Sequence, residues 1–235
     1  KRKKVAISSF HFLVLGDGAT SKTVCAALKA KGAGRVSVLS RKKAPFYQDI
    51  ADFYQDTDYI INTTSVGMYP HTDCSLISLL GFKRLKGVFD VIYNPLRTKL
   101  LLEAEERGLV YSDGLPMLIA QAFYADEIFF KRKNAVEKLE AIISEIRRDK
   151  ENIILIGMPG VGKTTLGKAL AKVLKRPFYD SDVLLREKIG DLSAYIKEEG
   201  ETKFRQEETA ILESLGKETG MVIATGGGVI TRQEN

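Results

Sequence analysis

The sequence predicts an α/β fold made of two domains, each built on a parallel sheet. Two apolar runs carry this prediction, at residues 11–15 and 153–156, because each is followed by a glycine-rich turn and then by a helical pattern. Strands that alternate with helices in this way form parallel sheets. Length is the third observation, since 235 residues are long for one average domain and suit two.

The composition is that of a soluble globular protein, with 44% hydrophobic and 28% charged residues. No apolar run approaches the roughly 20 residues of a bilayer span, so no membrane association is expected. Cys25 and Cys74 lack metal-ligand spacing, and a reduced, cytoplasmic location is expected. The basic clusters at residues 1–4 and 131–133 lack interleaved aromatics, so nucleic-acid binding is not expected despite the net charge of +6.

The first half opens with a strand, a glycine turn, a helix and a second strand, which is the Rossmann, dinucleotide-binding pattern. Strands are predicted at residues 11–15 and 35–39, from 58, from 87 and at 109–111, and helices over 22–31 and 98–107. Ligands bind such sheets beyond the carboxyl ends of the strands. The loops expected at that edge are residues 16–21, 40–43, 62–70, 93–97 and 113–117.

The end of the second strand indicates which dinucleotide is bound. NAD-binding units carry an acidic residue there for the ribose 2′-hydroxyl, whereas this chain has Ser40 and Arg41. An acid would repel a 2′-phosphate, and an arginine can grip it bidentately. The unit is therefore predicted to be specific for NADP(H). A solvated basic turn is the alternative explanation of this feature.

Three blocks, at residues 62–68, 90–95 and 114–122, together resemble the NADP-binding domain of shikimate dehydrogenase. The resemblance covers about residues 11–130. It implies that the pyrophosphate is held by Gly16, Asp17, Gly18, Ala19 and Thr20. It also implies that Ser40 and Arg41 hold the adenosine phosphate, that Val91 and Gly114 lie near the nicotinamide, and that Tyr93 and Gln121 reach the substrate.

This chain departs from the dehydrogenase pattern in three ways. Ala19 stands where the family usually has a second glycine, and residues 42–57 are too few for a helix and a strand, so one βα unit is expected to be trimmed. The family's substrate domain, with its Lys–Asp proton-transfer pair, precedes the NADP domain, and only ten residues precede the first strand here. We therefore expect this half to bind its cofactor without catalysing the reduction.

Apolar residues recur at helical spacing over 126–148, with a break or cap expected at Asn134. A charged link is expected at residues 149–151. The predicted domains are residues 1–148 and 149–235.

The second half opens with the pattern G-x-x-x-x-G-K-[ST] at residues 157–164, between a predicted strand and a predicted helix from Leu166. Backbone N–H groups of such a loop cradle phosphate oxygens, Lys163 reaches the β/γ-phosphates, and the Thr164 hydroxyl binds Mg²⁺. A plain glycine-rich turn that opens a helix is the alternative.

Asp180 and Asp182 end the next predicted strand, and residues i and i+2 of a strand share a face. One carboxylate could support Mg²⁺ and the other could accept a hydrogen bond from a substrate hydroxyl. Alternatively, the pair only caps a helix that starts at Val183. Arg205 lies one turn into a later helix, and three glycines at 226–228 follow a buried strand, which indicates close approach of a ligand to the backbone.

Taken in order, these features resemble shikimate kinase over residues 152–235. The resemblance implies that ATP is bound by Gly160, Val161, Gly162, Lys163, Thr164 and Thr165. Asp180 would stand behind the Mg²⁺ on Thr164, Asp182 would orient and deprotonate the attacking hydroxyl, Arg205 would pair with the substrate carboxylate, and the Gly227 backbone would contact the ring hydroxyls. Phosphoryl transfer depends mostly on positioning and charge stabilisation, so the role that the resemblance implies for Asp182 is that of a positioning base.

The sequence thus indicates an interior piece of a bifunctional enzyme, with a Rossmann-type domain followed by a truncated P-loop kinase domain of the nucleoside monophosphate kinase type. The expected substrates are 3-dehydroshikimate and shikimate, with NADP(H), ATP and Mg²⁺ as cofactors. The kinase lid is expected to lie beyond residue 235. A non-catalytic nucleotide-binding protein and a quinate-preferring dehydrogenase remain alternatives, and no feature indicates an oligomeric state.

Overall fold

The computed structural model describes residues 7–232, so the basic cluster at residues 1–4 lies outside the described residues. The chain divides into two compact units between Ile143 and Ser144. This point falls inside a continuous helix, Val136–Lys150, and residues 149 and 150 are therefore helical. The expectation of a charged link at 149–151 was wrong, because the amphipathic pattern continues to Lys150. The domain bounds predicted from the sequence stay a prediction.

The first unit is a five-stranded parallel sheet in the order β2-β1-β3-β4-β5. Its elements are β1 (His11–Leu15), α1 (Ala19–Ala30), β2 (Arg35–Leu39), β3 (Tyr59–Asn62), β4 (Gly87–Asp90), α2 (Lys99–Glu106), β5 (Val110–Ser112), α3 (Leu115–Phe130) and the first part of α4 (Val136–Lys150). From β1 the chain first adds β2 on one side and then crosses to add β3 on the other side, so the order of strand addition reverses at β1. Parallel sheets of this kind bind ligands at that switch point.

Strand β1 lies between β2 and β3, and all five of its residues are buried. Leu13 and Leu15 point to one face, where they pack with Leu39 and Ile60. Phe12 and Val14 point to the other face, against partly buried side chains of α1. The period-2 alternation of a strand thus gives two hydrophobic layers, and a strand buried on both faces is apolar throughout.

Helix α1 begins three residues earlier than the predicted Lys22, at Ala19, with Gly18 as its N-cap residue. The polar residues after Gly18 suggested a loop, but Ser21 is buried in the first turn. The turn after β1 is therefore shorter than the predicted 16–21. Between β2 and β3 the structure has a single 3-10 helix, Tyr47–Phe53, in keeping with the expected trimming of one βα unit.

The second unit is a three-stranded parallel sheet in the order β6-β8-β7. Its elements are β6 (Ile153–Leu155), α5 (Lys163–Leu174), β7 (Phe178–Asp180), α6 (Ser181–Ile189), α7 (Leu192–Glu199), α8 (Glu201–Gly216) and β8 (Val222–Ala224), together with the end of α4. All three residues of β8 are buried. The central strand therefore brings its following loop between the loops that follow β6 and β7.

Among the helices of residues 7–232, none is both long and apolar enough to cross a bilayer.

Candidate functional site

The glycine turn after β1 leads straight into α1. Gly16 has φ of 108°, and a Cβ there would come within 2.8 Å of the Thr63 hydroxyl oxygen, so both the conformation and the space require glycine. A Cβ on Gly18 would meet nothing within 4 Å. Ala19 and Thr20 form the first helical residues, where backbone N–H groups lack helical partners and favour anions. The turn fits a bound pyrophosphate.

Ser40 organises the loop that follows β2. Its hydroxyl is buried, donates to Asp17 Oδ2 over 3.1 Å and accepts from the backbone N–H groups of Lys42 and Lys43 over 3.0 and 2.9 Å. One donor and two acceptor sites are all that a hydroxyl offers. The Ser40 side chain is thus engaged within the protein, while Arg41 beside it is exposed.

Val91 and Gly114 come together at the same edge of the sheet. Gly114 N–H donates to the Ile92 carbonyl over 2.8 Å, and a Cβ on Gly114 would lie 1.9 Å from the Val91 carbonyl oxygen. Only glycine allows this approach between the loops after β4 and β5. Tyr93 and Gln121 are exposed, and Tyr93 keeps 42% of its surface accessible.

Asp90, at the end of β4, is a buried carboxylate that the sequence reasoning did not single out. Its Oδ1 accepts from the Asn62 side-chain amide over 3.1 Å and from the Ile92 N–H over 3.0 Å, and its Oδ2 accepts from the Thr98 hydroxyl over 2.7 Å. Burial raises the pKa of Asp90. The carboxylate ties β3, β4 and the N-cap of α2 beneath the loops of the candidate site. Its place in the stretch 90–95, which resembles shikimate dehydrogenase, was the available signal.

The loop after β6 carries a lysine and a threonine where α5 begins. Lys163 Nζ donates to the carbonyls of Gly157 and Met158 over 2.7 and 2.8 Å, so its ammonium lies over the loop. The Thr164 hydroxyl donates to Asp180 Oδ2 over 2.6 Å. Gly160 and Val161 form the turn, Gly162 caps α5, and Thr165 follows in the first helical turn. The strand–loop–helix context required of the motif is present.

Asp180 serves both α6 and Thr164. Its Oδ1 accepts from the N–H groups of Asp182 and Val183, over 3.0 and 3.4 Å, and so caps the helix. The helix begins at Ser181, so the expected start at Val183 was wrong, and Asp182 lies in the first turn of α6 and not on the strand. The capping alternative is therefore correct for Asp180. It does not exclude a metal role, since the other carboxylate oxygen faces Thr164.

A hydroxyl and a carboxylate side by side are oxygen ligands of the kind that Mg²⁺ takes together with nucleotide phosphates and water. Within residues 7–232 no group of three or more His, Cys, Asp or Glu side chains gathers as a metal site. The Thr164–Asp180 pair offers two oxygen ligands, which fits a Mg²⁺ ion that takes its other ligands from phosphate and water.

Residues 226–228 let three neighbouring segments approach the end of β8. A Cβ on Gly226 would lie 2.6 Å from Asp182 Oδ1, one on Gly227 2.5 Å from the Pro159 ring, and one on Gly228 2.5 Å from Arg205 Nη1. The glycine loop thus collects an acid from α6, the phosphate loop and a cation from α8. Predicted site residues from three separate stretches meet here.

Glu208 is a second site residue that the sequence reasoning missed. It is buried, accepts from Arg205 Nη1 over 2.9 Å, and its Oε1 would lie 3.1 Å from a Cβ on Gly226. Glu208 lies three residues after Arg205 in a predicted helix, and this spacing indicates a side-chain pair. Burial raises the pKa of Asp182, and the negative charges of Asp180 and Glu208 raise it further, against the opposing charges of Arg186 and Lys163.

Comparison with known proteins gives two successive similarities. Residues 159–235 match the family model described as shikimate kinase. The chain is 49% identical over 85 residues to a shikimate kinase of Legionella pneumophila, across 36% of this chain and 49% of that protein. It is 34% identical over 159 residues to an NADP⁺ shikimate dehydrogenase of Clostridium perfringens, across 63% of this chain and 59% of that protein.

A solved structure agrees for the first part. A chorismate mutase/shikimate 5-dehydrogenase fusion protein of Clostridium acetobutylicum superposes with a TM-score of 0.56 at 28% identity, across 61% of this chain and 56% of that chain. The chain thus spans about half to three fifths of the length of the relatives it matches. Similarity to shikimate dehydrogenases covers roughly the first 160 residues, and similarity to shikimate kinases covers the rest.

Proposed function

We propose that this chain is part of a bifunctional shikimate-pathway enzyme, which reduces 3-dehydroshikimate to shikimate with NADPH and phosphorylates shikimate with ATP. The observation that carries the proposal is the convergence of Asp182, the phosphate loop and Arg205 on the glycines that follow β8. The two activities would be consecutive, since the product of the first is the substrate of the second. The order of the two family similarities along the chain supports this assignment.

In the first unit, the turn at Gly16 and the N-terminus of α1 would hold the pyrophosphate of NADP(H). Arg41 would grip the 2′-phosphate, and Ser40 would act indirectly by fixing the backbone of Lys42 and Lys43. Val91 and Gly114 would border the nicotinamide, and Tyr93 and Gln121 would reach the substrate. NADPH would supply the hydride. The proton donor for the reduction is not assigned to any residue of this unit.

In the second unit, the backbone of residues 160–165 and the Lys163 ammonium would bind the phosphates of ATP. Arg205 would hold the shikimate carboxylate, and the Gly227 backbone would contact the ring hydroxyls. Asp182 would orient the attacking hydroxyl and take its proton as the oxygen bonds to the γ-phosphorus and ADP leaves. A Mg²⁺ ion on Thr164 and Asp180 would neutralise developing phosphate charge.

Two assays on the full-length protein test the proposal, one for NADPH oxidation with 3-dehydroshikimate and one for ADP release with shikimate. Lys163→Met should reduce phosphorylation at least ~100-fold and leave the reduction unchanged. Lys168→Met, which removes an exposed lysine of the same helix, should leave both rates unchanged. Tight binding of both nucleotides without turnover in either assay would instead identify a non-catalytic binding protein.

A further inference from the structure

Asp17 places a carboxylate at the end of β2 although it belongs to the loop after β1. Its Oδ2 lies 3.1 Å from the hydroxyl oxygen of Ser40, the first residue after the strand. Ser40 is buried whereas Asp17 is exposed, so the hydroxyl anchors a carboxylate that faces solvent. This is the position where NAD-binding folds carry the acid for the ribose 2′-hydroxyl, normally on β2 itself.

Tyr47 gives a second observation on the same place. Burial raises the pKa of its phenol, the positive charge of Arg41 opposes this increase, and the negative charge of Asp17 adds to it. Both side chains therefore lie close enough to act on one phenol, and Tyr47 itself is held by packing against the core of the first unit. The end of β2 thus carries one exposed cation and one exposed anion together.

We propose that Asp17 limits the preference of this dinucleotide site for a phosphorylated ribose, so that the site accepts NADH as well as NADPH. The inference rests on the proposed function of the first unit. Arg41 attracts a 2′-phosphate, whereas the Asp17 carboxylate repels it and accepts a hydrogen bond from a free 2′-hydroxyl. The two charges oppose each other on the same ligand group, so their balance sets the selectivity.

The bond from Ser40 explains how Asp17 can act on the ribose. An exposed aspartate on a glycine turn would ordinarily sample several rotamers. The buried hydroxyl donates its proton to Oδ2 and leaves Oδ1 as an acceptor toward solvent. Because the Ser40 oxygen also fixes the backbone at Lys42 and Lys43, the carboxylate and the basic loop are held in one arrangement.

Binding of NADPH and of NADH to the chain, followed by nucleotide fluorescence, tests this inference without any turnover. Asp17→Asn should tighten NADPH about fivefold and weaken NADH about threefold, because a like charge and a strong acceptor are both removed. The gain for NADPH should shrink as salt rises, since surface charges are screened within ~10 Å at 0.1 M. Asp52→Asn, at an exposed aspartate of the Tyr47–Phe53 helix, is the matched control and should change neither affinity.

Asp17→Ser provides a second variant without the charge and keeps the test valid if Asp17→Asn lowers the melting temperature. It should show the same gain for NADPH. Equal changes in both affinities, or no change, in the folded variant would overturn the role of Asp17. A wild-type chain that binds neither nucleotide would overturn the proposed dinucleotide site itself, and with it this inference. A wild type that binds NADPH far more than tenfold tighter than NADH would also contradict it.

Discussion

The glycine turns after β1 and β6 share a plan and differ in the side chains that they add to it. In both, a strand is followed within two residues by a glycine with positive φ, 108° at Gly16 and 144° at Gly157, and then by a helix. The first turn adds the anion of Asp17. The second adds the cation of Lys163 over the loop and the Thr164–Asp180 pair beside it.

This difference follows from what each proposed ligand undergoes. A dinucleotide pyrophosphate is bound and released intact, so backbone N–H groups and a helix N-terminus suffice. A transferred phosphoryl group spreads charge in the transition state, which calls for cations and a positioned base. The carboxylates diverge in the same way. Asp90 is enclosed by three donors in the first unit, whereas Asp182 in the second unit lies beside Gly226 near the like charge of Glu208.

The largest expected effect is on phosphorylation by Asp182→Asn. Loss of the base should lower kcat about 10³-fold with the affinity for ATP and the reduction rate unchanged. Because the pKa of Asp182 is raised, its contribution to stability is present below the unfolded value and lost as pH rises through the folded value, so the variant should unfold at a higher temperature at neutral pH. Steady-state assays and thermal melts measure both.

Asp191→Asn is the matched control for that variant, because Asp191 caps α7 and asparagine caps equally well. It should leave kcat unchanged. A comparable loss in both variants would show that the second site has no special carboxylate, and the contrast between the two turns would fail.

The next effect concerns the fold of the first unit. Asp90→Ala leaves three donors without their acceptor, and we expect it to lower the free energy of unfolding by about 3 kcal/mol. Asp52→Ala, at an exposed position, should change it by less than ~0.5 kcal/mol. Urea denaturation monitored by circular dichroism provides the measurement. An Asp90→Ala protein as stable as the wild type would show that the three hydrogen bonds to this carboxylate do not stabilise the first unit.

A third variant tests the close approach at the glycine loop. In Gly226→Ala the new Cβ would lie 2.6 Å from Asp182 Oδ1, so the carboxylate must move and kcat for phosphorylation should fall about 100-fold. Gly216→Ala in α8 meets nothing within 4 Å and should be neutral or slightly stabilising. Equal activity in the two variants would show that the position of the Asp182 carboxylate does not depend on a glycine at residue 226.

The sheets and the glycine turns could be predicted because their signals are local. The five apolar residues of β1 and the loop with Lys163 are each continuous in sequence, and parallel pairing follows from strands that alternate with helices. The helix starts at Ala19 and Ser181 were missed because small polar residues favour loops and first turns alike. Packing decides between the two.

The site was predictable only where a residue's role depends on its own segment. Asp180 was recognised as a cap or a metal ligand, and it caps α6 while it accepts from Thr164. The bond from the Ser40 hydroxyl to Asp17 was not predicted, because it depends on how the loops after β1 and β2 meet. Glu208 was missed because its nearness to Gly226 depends on β8 lying beside α8. Such relations are tertiary and have no sequence period.

The smallest expected effect is a shift in the pH at which the phosphorylation rate falls on the acid side of its pH profile. Asp182 must be ionised to accept a proton, and burial together with the charges of Asp180 and Glu208 raises its pKa, so the rate should fall with decreasing pH at a value above that of an ordinary aspartate. Glu208→Gln removes one of the like charges, while its amide oxygen still accepts from Arg205. The acid limb should therefore move to lower pH, with kcat at neutral pH reduced less than ~10-fold.

Glu213→Gln, at an exposed glutamate of the same helix, should leave the acid limb of the pH profile in place. A limb that moves to higher pH in Glu208→Gln would mean that Glu208 acts on Asp182 mainly by holding Arg205 in place and not through its own charge.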